Sequence, residues 1–494
     1  METLLSIENL KLSFNTPEGK VPAVDGVSLQ IKKGETLALV GESGSGKTAL
    51  CRTILGLHSG NANHEEGKIV LGDKDLLSFS DQEMEAIRGK EVSMIFQDPM
   101  TSLNPTFSIG KQIMETILLH EEITPLEAKE KTIELLGLVG IEHPEIRFSQ
   151  FPHHFSGGMR QRVAIAIAIA CNPKLLIADE PTTALDIKMQ GQIIALLQKI
   201  KEERGLGIIF VTHDLSLVEE FADRVVVMRE GKILEQGTTE AVFTRPQADY
   251  TKQLLRYANY GKGKEHTHGG IHFHHGVPHS HENKALTPLV SIRNLKKYFE
   301  LDKKRVAKVL DGLSMEIYKG EILGIVGPSG CGKSTLARCI MDIYSPTSGE
   351  IIYHEPCKKQ MIFQDSASAF NGRMTIKNII AEPLMLKGGR RNRQEVEAKV
   401  FELMEQVGLE RSLAERHPYD VSGGQRQRAA IARALITEPN FIVADEPISS
   451  LDVSIQAQII HLLKALHDQR QLTVLLIAHD LPMVEHISDR IITL

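Results

Sequence analysis

The stretch Gly41-Glu-Ser-Gly-Ser-Gly-Lys-Thr48 decides the fold of this chain. It follows the apolar run Thr36-Leu-Ala-Leu-Val40, which predicts a buried strand that leads into a glycine-rich turn and then a helix. Such a turn wraps backbone N–H groups around phosphate oxygens and places a helix N-terminus behind them. A glycine-rich turn that binds no ligand is the structural alternative.

The same motifs occur twice, in the same order. Gly327-Pro-Ser-Gly-Cys-Gly-Lys-Ser334 repeats the loop, again after an apolar run at 322–326. A glutamine, a Ser-Gly-Gly triplet, an Asp-Glu pair and a histidine follow in both halves, and from the triplet onward the copies are offset by 266 residues. Two complete, ordered sets predict an α/β chain with two P-loop NTPase domains in tandem.

The repeat predicts a first domain at 1–259, a flexible linker rich in His and Gly at 260–285, and a second domain at 286–494. The loop lysine precedes the glutamine by 50 residues in the first half but by 31 in the second. The first half fills this extra length with a predicted turn and short helix at 73–88. We expect the second domain to have a shortened β subdomain and C-terminus, either trimmed or incomplete.

Bulk composition argues against several classes of protein. The net charge of −6 and the pI near 6.4 do not suit nucleic acid as the main partner. Five scattered cysteines without a Cys-x-x-Cys pair do not suit a zinc site or a disulfide framework, and fit a reducing cytosol. No secretory signal is visible and no apolar run reaches 18 residues, so we expect any work at a membrane to be done from its surface.

Both loops carry the residue types that hold a nucleotide. In this pattern the lysine contacts the β- and γ-phosphates, and the hydroxyl after it binds Mg²⁺. The predicted phosphate-binding residues are Gly41, Ser43, Gly44, Gly46, Lys47 and Thr48 in the first half and Gly327, Ser329, Gly330, Gly332, Lys333 and Ser334 in the second. ATP and Mg²⁺ are therefore the expected ligands.

Carboxylate and amide side chains complete each predicted metal site. An aspartate that ends an apolar strand suits a metal partner, and the loop glutamine can reach the ion or its water. The predicted Mg²⁺ ligands are Thr48, Gln97 and Asp179 in the first half and Ser334, Gln364 and Asp445 in the second. A polar loop residue is the alternative for each glutamine.

The predicted catalytic residues follow directly. Glu180 and Glu446 can orient and polarise the attacking water. His213 and His479 come just after the next strand, where they can contact the γ-phosphate. A helix-capping acid pair and a structural histidine are the alternatives.

The Ser-Gly-Gly triplet predicts an anion site, because a serine and two exposed amides stand at a helix start. Its members are Ser156, Gly157 and Gly158 in the first half and Ser422, Gly423 and Gly424 in the second. The whole combination resembles the nucleotide-binding domains of ABC transporters. The resemblance implies a mainly parallel sheet core with an antiparallel β subdomain and a helical subdomain. It also implies that each half's triplet serves the other half's ATP, that both sites are active, and that Phe14 and Phe299 stack on adenine, with core packing as their alternative.

A narrower resemblance is to the peptide/nickel importer ATPases. The segments 96–105, 363–371 and 249–255 are similar to that group's extended glutamine loop and to its sequence after the first domain. The resemblance implies two transmembrane permease subunits, an extracytoplasmic solute-binding protein behind them, and peripheral attachment to the cytoplasmic face of the membrane. A soluble tandem ATPase that acts on ribosomes or nucleic acid, and the ATPase of an exporter, are the alternatives.

The linker adds a compositional signal for transition metals. Neutral imidazole suits Ni²⁺, Cu²⁺ and Zn²⁺. Seven histidines fall within sixteen residues: His266, His268, His272, His274, His275, His279 and His281. A solvated, glycine-rich spacer is the alternative.

Overall fold

The computed structural model describes residues 2–16, 19–58, 61–97, 102–182, 185, 187–258, 287–302, 305–328, 330–364, 369–386, 392–448, 453–478 and 481–494. The chain divides into two compact units, Met1–Ala258 and Asn259–Leu494. In the part of the chain that is described, no helix combines the length and the apolar character that crossing a bilayer needs.

The first unit contains two sheets. Its strands are β1 (Thr3–Thr16), β2 (Gly19–Lys32), β3 (Thr36–Val40), β4 (Ala62–Leu71), β5 (Lys74–Asp75), β6 (Val92–Ile95), β7 (Leu175–Asp179), β8 (Gly207–Val211), β9 (Arg224–Arg229) and β10 (Lys232–Thr238). An antiparallel sheet has the order β2-β1-β4-β5, and a larger sheet has the order β10-β9-β3-β8-β7-β6. The larger sheet is parallel except for its edge pair β10 and β9.

The helices of the first unit are α1 (Lys47–Ile54), α2 (Asp81–Ile87), α3 (Ile109–His120), α4 (Pro125–Leu138), α5 (Pro144–Arg147), α6 (Gly157–Ile169), α7 (Ile187–Arg204), α8 (Leu215–Phe221), α9 (Thr239–Thr244) and α10 (Asp249–Ala258), with 3₁₀ turns at Leu76–Ser78 and Pro152–His154. The predicted turn and short helix at 73–88 are confirmed, as β5, a 3₁₀ turn and α2. Ser80 starts α2, because its hydroxyl accepts from Glu83 N and its own N–H donates to the Glu83 carboxylate.

Buried central strands place the core of the first unit. Every residue of β3, β7 and β8 is buried, as expected for parallel strands that are covered on both faces. One side chain cluster joins these strands to α1 and the antiparallel sheet, and another joins β7 and β8 to α3, α4 and α6. The three helices form the predicted helical subdomain, and α10 packs beside β3 and β9.

The second unit repeats this plan with fewer strands in its described residues. Its elements are β11 (Pro288–Asp302), β12 (Arg305–Tyr318), β13 (Ile322–Val326), α11 (Lys333–Ile340), β14 (Ser348–Tyr353), β15 (Lys359–Ile362), α12 (Ile376–Leu386), α13 (Arg393–Gln406), α14 (Gly423–Leu435), β16 (Phe441–Asp445), α15 (Val453–Arg470), β17 (Thr473–Ile477), α16 (Leu481–Ile487) and β18 (Arg490–Thr493), with 3₁₀ turns at Arg411–Glu415 and Pro418–Asp420. The antiparallel sheet is β12-β11-β14 and the parallel sheet is β15-β16-β17-β13-β18. The predicted α/β fold class is confirmed for both units.

Candidate nucleotide site

Four neighbouring parallel strands bring the predicted site residues of the first unit to one sheet edge. The loop 41–48 follows β3, His213 follows β8, Asp179 ends β7 and Gln97 follows β6. Because these strands are adjacent and parallel, their carboxyl ends meet at the same edge, where α/β sheets bind ligands. In the second unit, Gly327 follows β13, Asp445 ends β16 and Gln364 follows β15.

Glycines allow the phosphate loop to lie close to neighbouring backbone. Gly41 has φ +150°, and a Cβ there would lie 2.1 Å from the carbonyl oxygen of Met228. Gly46 has φ +97°, and its Cβ would lie 2.3 Å from the carbonyl oxygen of Ala23. Any larger residue would displace the loop from β9 or β2.

The loop lysine is buried and folded over its own loop. Lys47 Nζ donates to the carbonyl oxygens of Gly41 (2.7 Å) and Glu42 (2.8 Å), and to Ser45 Oγ (3.1 Å). Lys333 Nζ does the same with Gly327 O (2.8 Å) and Pro328 O (3.0 Å). An ammonium held this way is available to phosphate oxygens that enter the loop, because they can replace the carbonyls as acceptors.

Hydroxyl and carboxylate oxygens stand together where the metal ion is predicted. Thr48 Oγ1 donates to Asp179 Oδ1 at 3.2 Å, and Ser334 Oγ donates to Asp445 Oδ1 at 3.0 Å. Burial raises the pKa of Asp179 to about 6, opposed by the Thr48 hydrogen bond, and burial likewise raises the pKa of Asp445. Such buried oxygen pairs fit Mg²⁺, which prefers a few carboxylate and hydroxyl ligands and keeps several waters.

No group of three or more His, Cys, Asp or Glu side chains that could hold a metal ion by itself occurs among the described residues. A hard cation bound with its substrate phosphates does not need one, because the phosphates supply ligands.

Each candidate catalytic glutamate occupies a strained backbone position. Glu180 has φ +48° and Glu446 has φ +46°, in the left-handed region that costs a non-glycine residue free energy. In each unit the neighbouring strand stabilises this conformation. Glu180 N donates to Val211 O at the end of β8, and Glu446 N donates to Ile477 O at the end of β17, both at 2.9 Å. The side chain is therefore aimed by the sheet rather than by a free loop.

Two polar side chains flank the carboxylate of Glu180. Gln97 Nε2 donates to Glu180 Oε2 at 2.9 Å, and His213 Nδ1 lies 3.5 Å from Glu180 Oε1. In the second unit Gln364 Nε2 donates to Glu446 Oε2 at 2.7 Å. The structure thus brings glutamine, glutamate and histidine together in the first unit.

The Ser-Gly-Gly triplets open long helices. Ser156 caps α6 by accepting from Met159 N at 3.4 Å, and Ser422 caps α14 by accepting from Gln425 N at 3.3 Å. Ser156 and Gly157 are exposed, whereas Gly158 is buried, so solvent reaches the first residues of this helix start. A serine-capped helix start of this kind has the geometry of an anion site.

The predicted adenine-stacking rings lie against protein. Phe14 is half-buried and packs on the core that α1 shares with the antiparallel sheet. Phe299 meets Tyr344 edge-on at a centroid distance of 5.5 Å, with Lys297 Nζ 5.1 Å from its ring centroid. These contacts suit the core alternative equally well, so adenine stacking stays a prediction.

Several predicted residues lie outside the part of the chain that the structure describes. They are Ser329, His479 and the linker histidines His266, His268, His272, His274, His275, His279 and His281.

One contact at the loop was not predicted from any motif. Glu42 N donates to Tyr250 Oη at 3.2 Å, although 208 residues separate the two. No local pattern could reveal this pairing, and the second loop has a proline, which lacks an N–H, at the matching position 328.

Comparison with known proteins agrees with the site. The family described as ABC transporter matches residues 24–183 and 310–449. The chain is 41% identical over its full length, and over 91% of the relative, to the peptidoglycan transport ATP-binding protein YejF of Agrobacterium fabrum. It is 40% identical to the glutathione import ATP-binding protein GsiA of Escherichia coli O6:H1 and 39% identical to GsiA of strain K12, each over 99% of this chain and 84% of the relative. The chain therefore belongs to the ABC transporter family, as an ATPase that carries two ATP-binding domains in tandem.

Proposed function

We propose that this chain is the energy-coupling subunit of an importer, with both domains binding and hydrolysing ATP. The observation that carries the proposal is that, in each unit, the candidate site residues lie together at one edge of that unit's parallel sheet. There a phosphate loop, a hydroxyl–aspartate pair and a glutamate held by a glutamine lie together, once in each half. A degenerate site would lack one of these parts in one half.

The loop residues bind and orient the triphosphate. Backbone N–H groups of 41–48 and 327–334 surround the phosphates, and the ammonium groups of Lys47 and Lys333 compensate their charge. Thr48 with Asp179, and Ser334 with Asp445, would hold Mg²⁺, which would supply charge neutralisation for the phosphates. Catalysis then depends mainly on positioning and on electrostatic stabilisation.

Glu180 and Glu446 act on the attacking water. A carboxylate aimed from a strained strand end can accept the water's hydrogen bond and proton near the γ-phosphate. Gln97 and Gln364 hold these carboxylates before catalysis, and His213 supports the first from its other side. His479 has the same proposed role in the second half.

Exposed apolar side chains on the helical subdomain are evidence for a membrane protein partner. The α3 helix, which follows the Gln97 loop, exposes Leu118 by 40% and Leu119 by 74% beside Met114. At the matching place in the second unit, α12 ends with Met385 and Leu386 exposed by 66% and 79%. Side chains of this kind favour docking of apolar protein segments. We propose that these side chains contact two transmembrane permease subunits at the cytoplasmic face of the membrane. An extracytoplasmic solute-binding protein would deliver the solute to those permeases.

The solute is proposed to contain a peptide. Two relatives of this chain are named for peptidoglycan transport and for glutathione import, and both solutes contain peptide bonds. Nickel, the other solute of the resembling group, has support only from the histidine-rich linker.

The linker histidines are proposed to bind divalent transition-metal ions. Calorimetric titration of the full chain with Ni²⁺ tests this. Replacing all seven histidines by alanine should abolish the binding and leave the ATPase rate within about twofold. Unchanged Ni²⁺ binding in that variant would contradict the proposal.

Purification of the tagged chain from membranes of its own cell, with the bound proteins identified, tests the importer assignment. We expect two hydrophobic permeases. Reconstituted with them, the ATPase rate should rise when the solute-binding protein carries a short peptide and not when it is offered Ni²⁺. Recovery of ribosomes or nucleic acid without a membrane partner would favour the soluble alternative and overturn the proposal.

A further inference from the structure

We infer that Tyr250 is a positioning residue for the phosphate loop of the first domain, and that Pro328 provides the equivalent restraint in the second. The hydroxyl of Tyr250 accepts a hydrogen bond of 3.2 Å from Glu42 N, the second residue of the loop. The inference rests on the proposed role of 41–48 in phosphate binding.

The peptide group that Tyr250 holds is linked to the loop lysine. The carbonyl of that peptide group, Gly41 O, accepts from Lys47 Nζ at 2.7 Å, and Glu42 O accepts from Lys47 Nζ at 2.8 Å and from Ser45 N at 3.1 Å. The residue is thus restrained through both its N–H and its carbonyl. Fixing its N–H limits how far that carbonyl, and the ammonium bonded to it, can move before the triphosphate enters.

Tyr250 is itself well fixed. Its side chain is 7% exposed and belongs to the core cluster in which Leu254 and Leu255 pack beside β3 and β9. The guanidinium of Arg229 lies 5.0 Å from the centroid of the Tyr250 ring. The hydroxyl therefore acts from a rigid helix, α10, that is not part of the loop.

The second loop has the same glycine conformations and cannot make such a hydrogen bond. Pro328 stands where Glu42 stands, and proline has no N–H to donate. The glycines correspond closely in φ: +150° and +158° at Gly41 and Gly327, and +97° and +106° at Gly46 and Gly332. Because proline fixes φ within its ring, it restricts the unbound loop without a partner.

The two restraints should be interchangeable. Tyr250→Phe keeps the ring and its contact with Arg229 but removes the acceptor for Glu42 N. Adding Glu42→Pro to that variant removes the donor and fixes φ, as in the second loop. Glu42→Ala keeps the N–H and serves as the matched control for loss of the glutamate side chain.

The experiment measures nucleotide binding separately at each domain of the full chain. In a Glu180→Gln/Glu446→Gln background, which suppresses turnover, the chain is photolabelled with 8-azido-ATP over a range of concentrations. Peptides from 1–258 and from 287–494 are then quantified by mass spectrometry. Tyr250→Phe should raise the half-saturating concentration of the first domain about three- to tenfold, the usual effect of one hydrogen bond, and leave the second within twofold.

Rescue separates positioning from general stability. Adding Glu42→Pro to Tyr250→Phe should restore the half-saturating concentration of the first domain to within twofold of the parent value. Glu42→Pro alone should leave that concentration within twofold of the parent value. No effect of Tyr250→Phe, equal weakening of both domains, or failure of Glu42→Pro to restore binding would each overturn the inference. Lys47→Ala tests the proposed phosphate site itself: if first-domain labelling persists in that variant, the site fails, whatever Tyr250 does.

Discussion

Gln97 Nε2 donates a 2.9 Å hydrogen bond to Glu180 Oε2, so the loop that leaves β6 holds the carboxylate that leaves β7. The second unit repeats the relationship between Gln364 and Glu446 at 2.7 Å. Each of these hydrogen bonds occupies one carboxylate oxygen of the glutamate. A loop contact of this kind can couple movement outside the sheet to the chemical step.

Replacing both glutamates should separate binding from hydrolysis. Glu180→Gln with Glu446→Gln keeps the side-chain size and removes the proton acceptor, so kcat should fall by about 100-fold or more while ATP still binds. ATP turnover and equilibrium nucleotide binding are the two measurements. Glu230→Gln is the matched control, because Glu230 has a similar φ of +50° but lies 82% exposed on its side chain. Undiminished turnover in the double variant would refute the assigned base.

Removing the glutamine side-chain amides should impair the orientation of the Glu180 and Glu446 carboxylates. Gln97→Ala with Gln364→Ala removes both hydrogen bonds, and we expect kcat to fall about tenfold with KM for ATP changed less than threefold. Gln198→Ala is the control, since Gln198 Nε2 also bonds a glutamate, Glu202, at 2.6 Å but on an exposed helix face. A larger effect on KM than on kcat would point to a binding role instead.

The buried aspartate predicts a pH-dependent stability in the nucleotide-free chain. Burial raises the pKa of Asp179 from 3.8 to about 6, so the folded carboxyl keeps its proton where an unfolded one has lost it. The unfolded chain binds fewer protons between these values, and stability falls as the pH rises from about 4 to 6. Asp179→Asn should therefore unfold several degrees higher than the parent at pH 7, a gain of up to about 3 kcal/mol.

Thermal unfolding without nucleotide or Mg²⁺, followed between pH 4 and 8, checks this. The difference between parent and Asp179→Asn should shrink toward zero as the pH falls to about 4, where the folded aspartate is protonated. A difference that is independent of pH would show that the gain has another cause.

Glycine at the start of the loop should be irreplaceable. Gly41→Ala places a Cβ 2.1 Å from Met228 O, so either the loop or β9 must move. We expect a loss of about 2–4 kcal/mol of stability and at least tenfold weaker nucleotide binding in the first domain. Gly34→Ala is the control, because Gly34 has φ +73° but nothing within 4 Å of its added Cβ. It should lose only about 1 kcal/mol and bind nucleotide normally, which chemical denaturation and photolabelling can compare.

The sequence by itself determined the fold class and predicted which residues make up the candidate site. A strand, a glycine-rich turn and a helix are contiguous in the chain, so the local sequence pattern predicts the loops 41–48 and 327–334. Gln97, Asp179 and His213 were predictable because apolar strands precede them, and adjacent parallel strands end at one edge. The repeat of these motifs then fixed the number of domains with a site.

Only the tertiary structure decided which atoms of the site meet. The pairing of Gln97 with Glu180 joins residues 83 positions apart, and that of Glu42 with Tyr250 joins residues 208 apart. Likewise, the packing of Phe14 against the core depends on strands from the whole unit. Local pattern carries backbone conformation and burial, whereas partners of this kind are set by how separate elements pack, which no short stretch of sequence encodes.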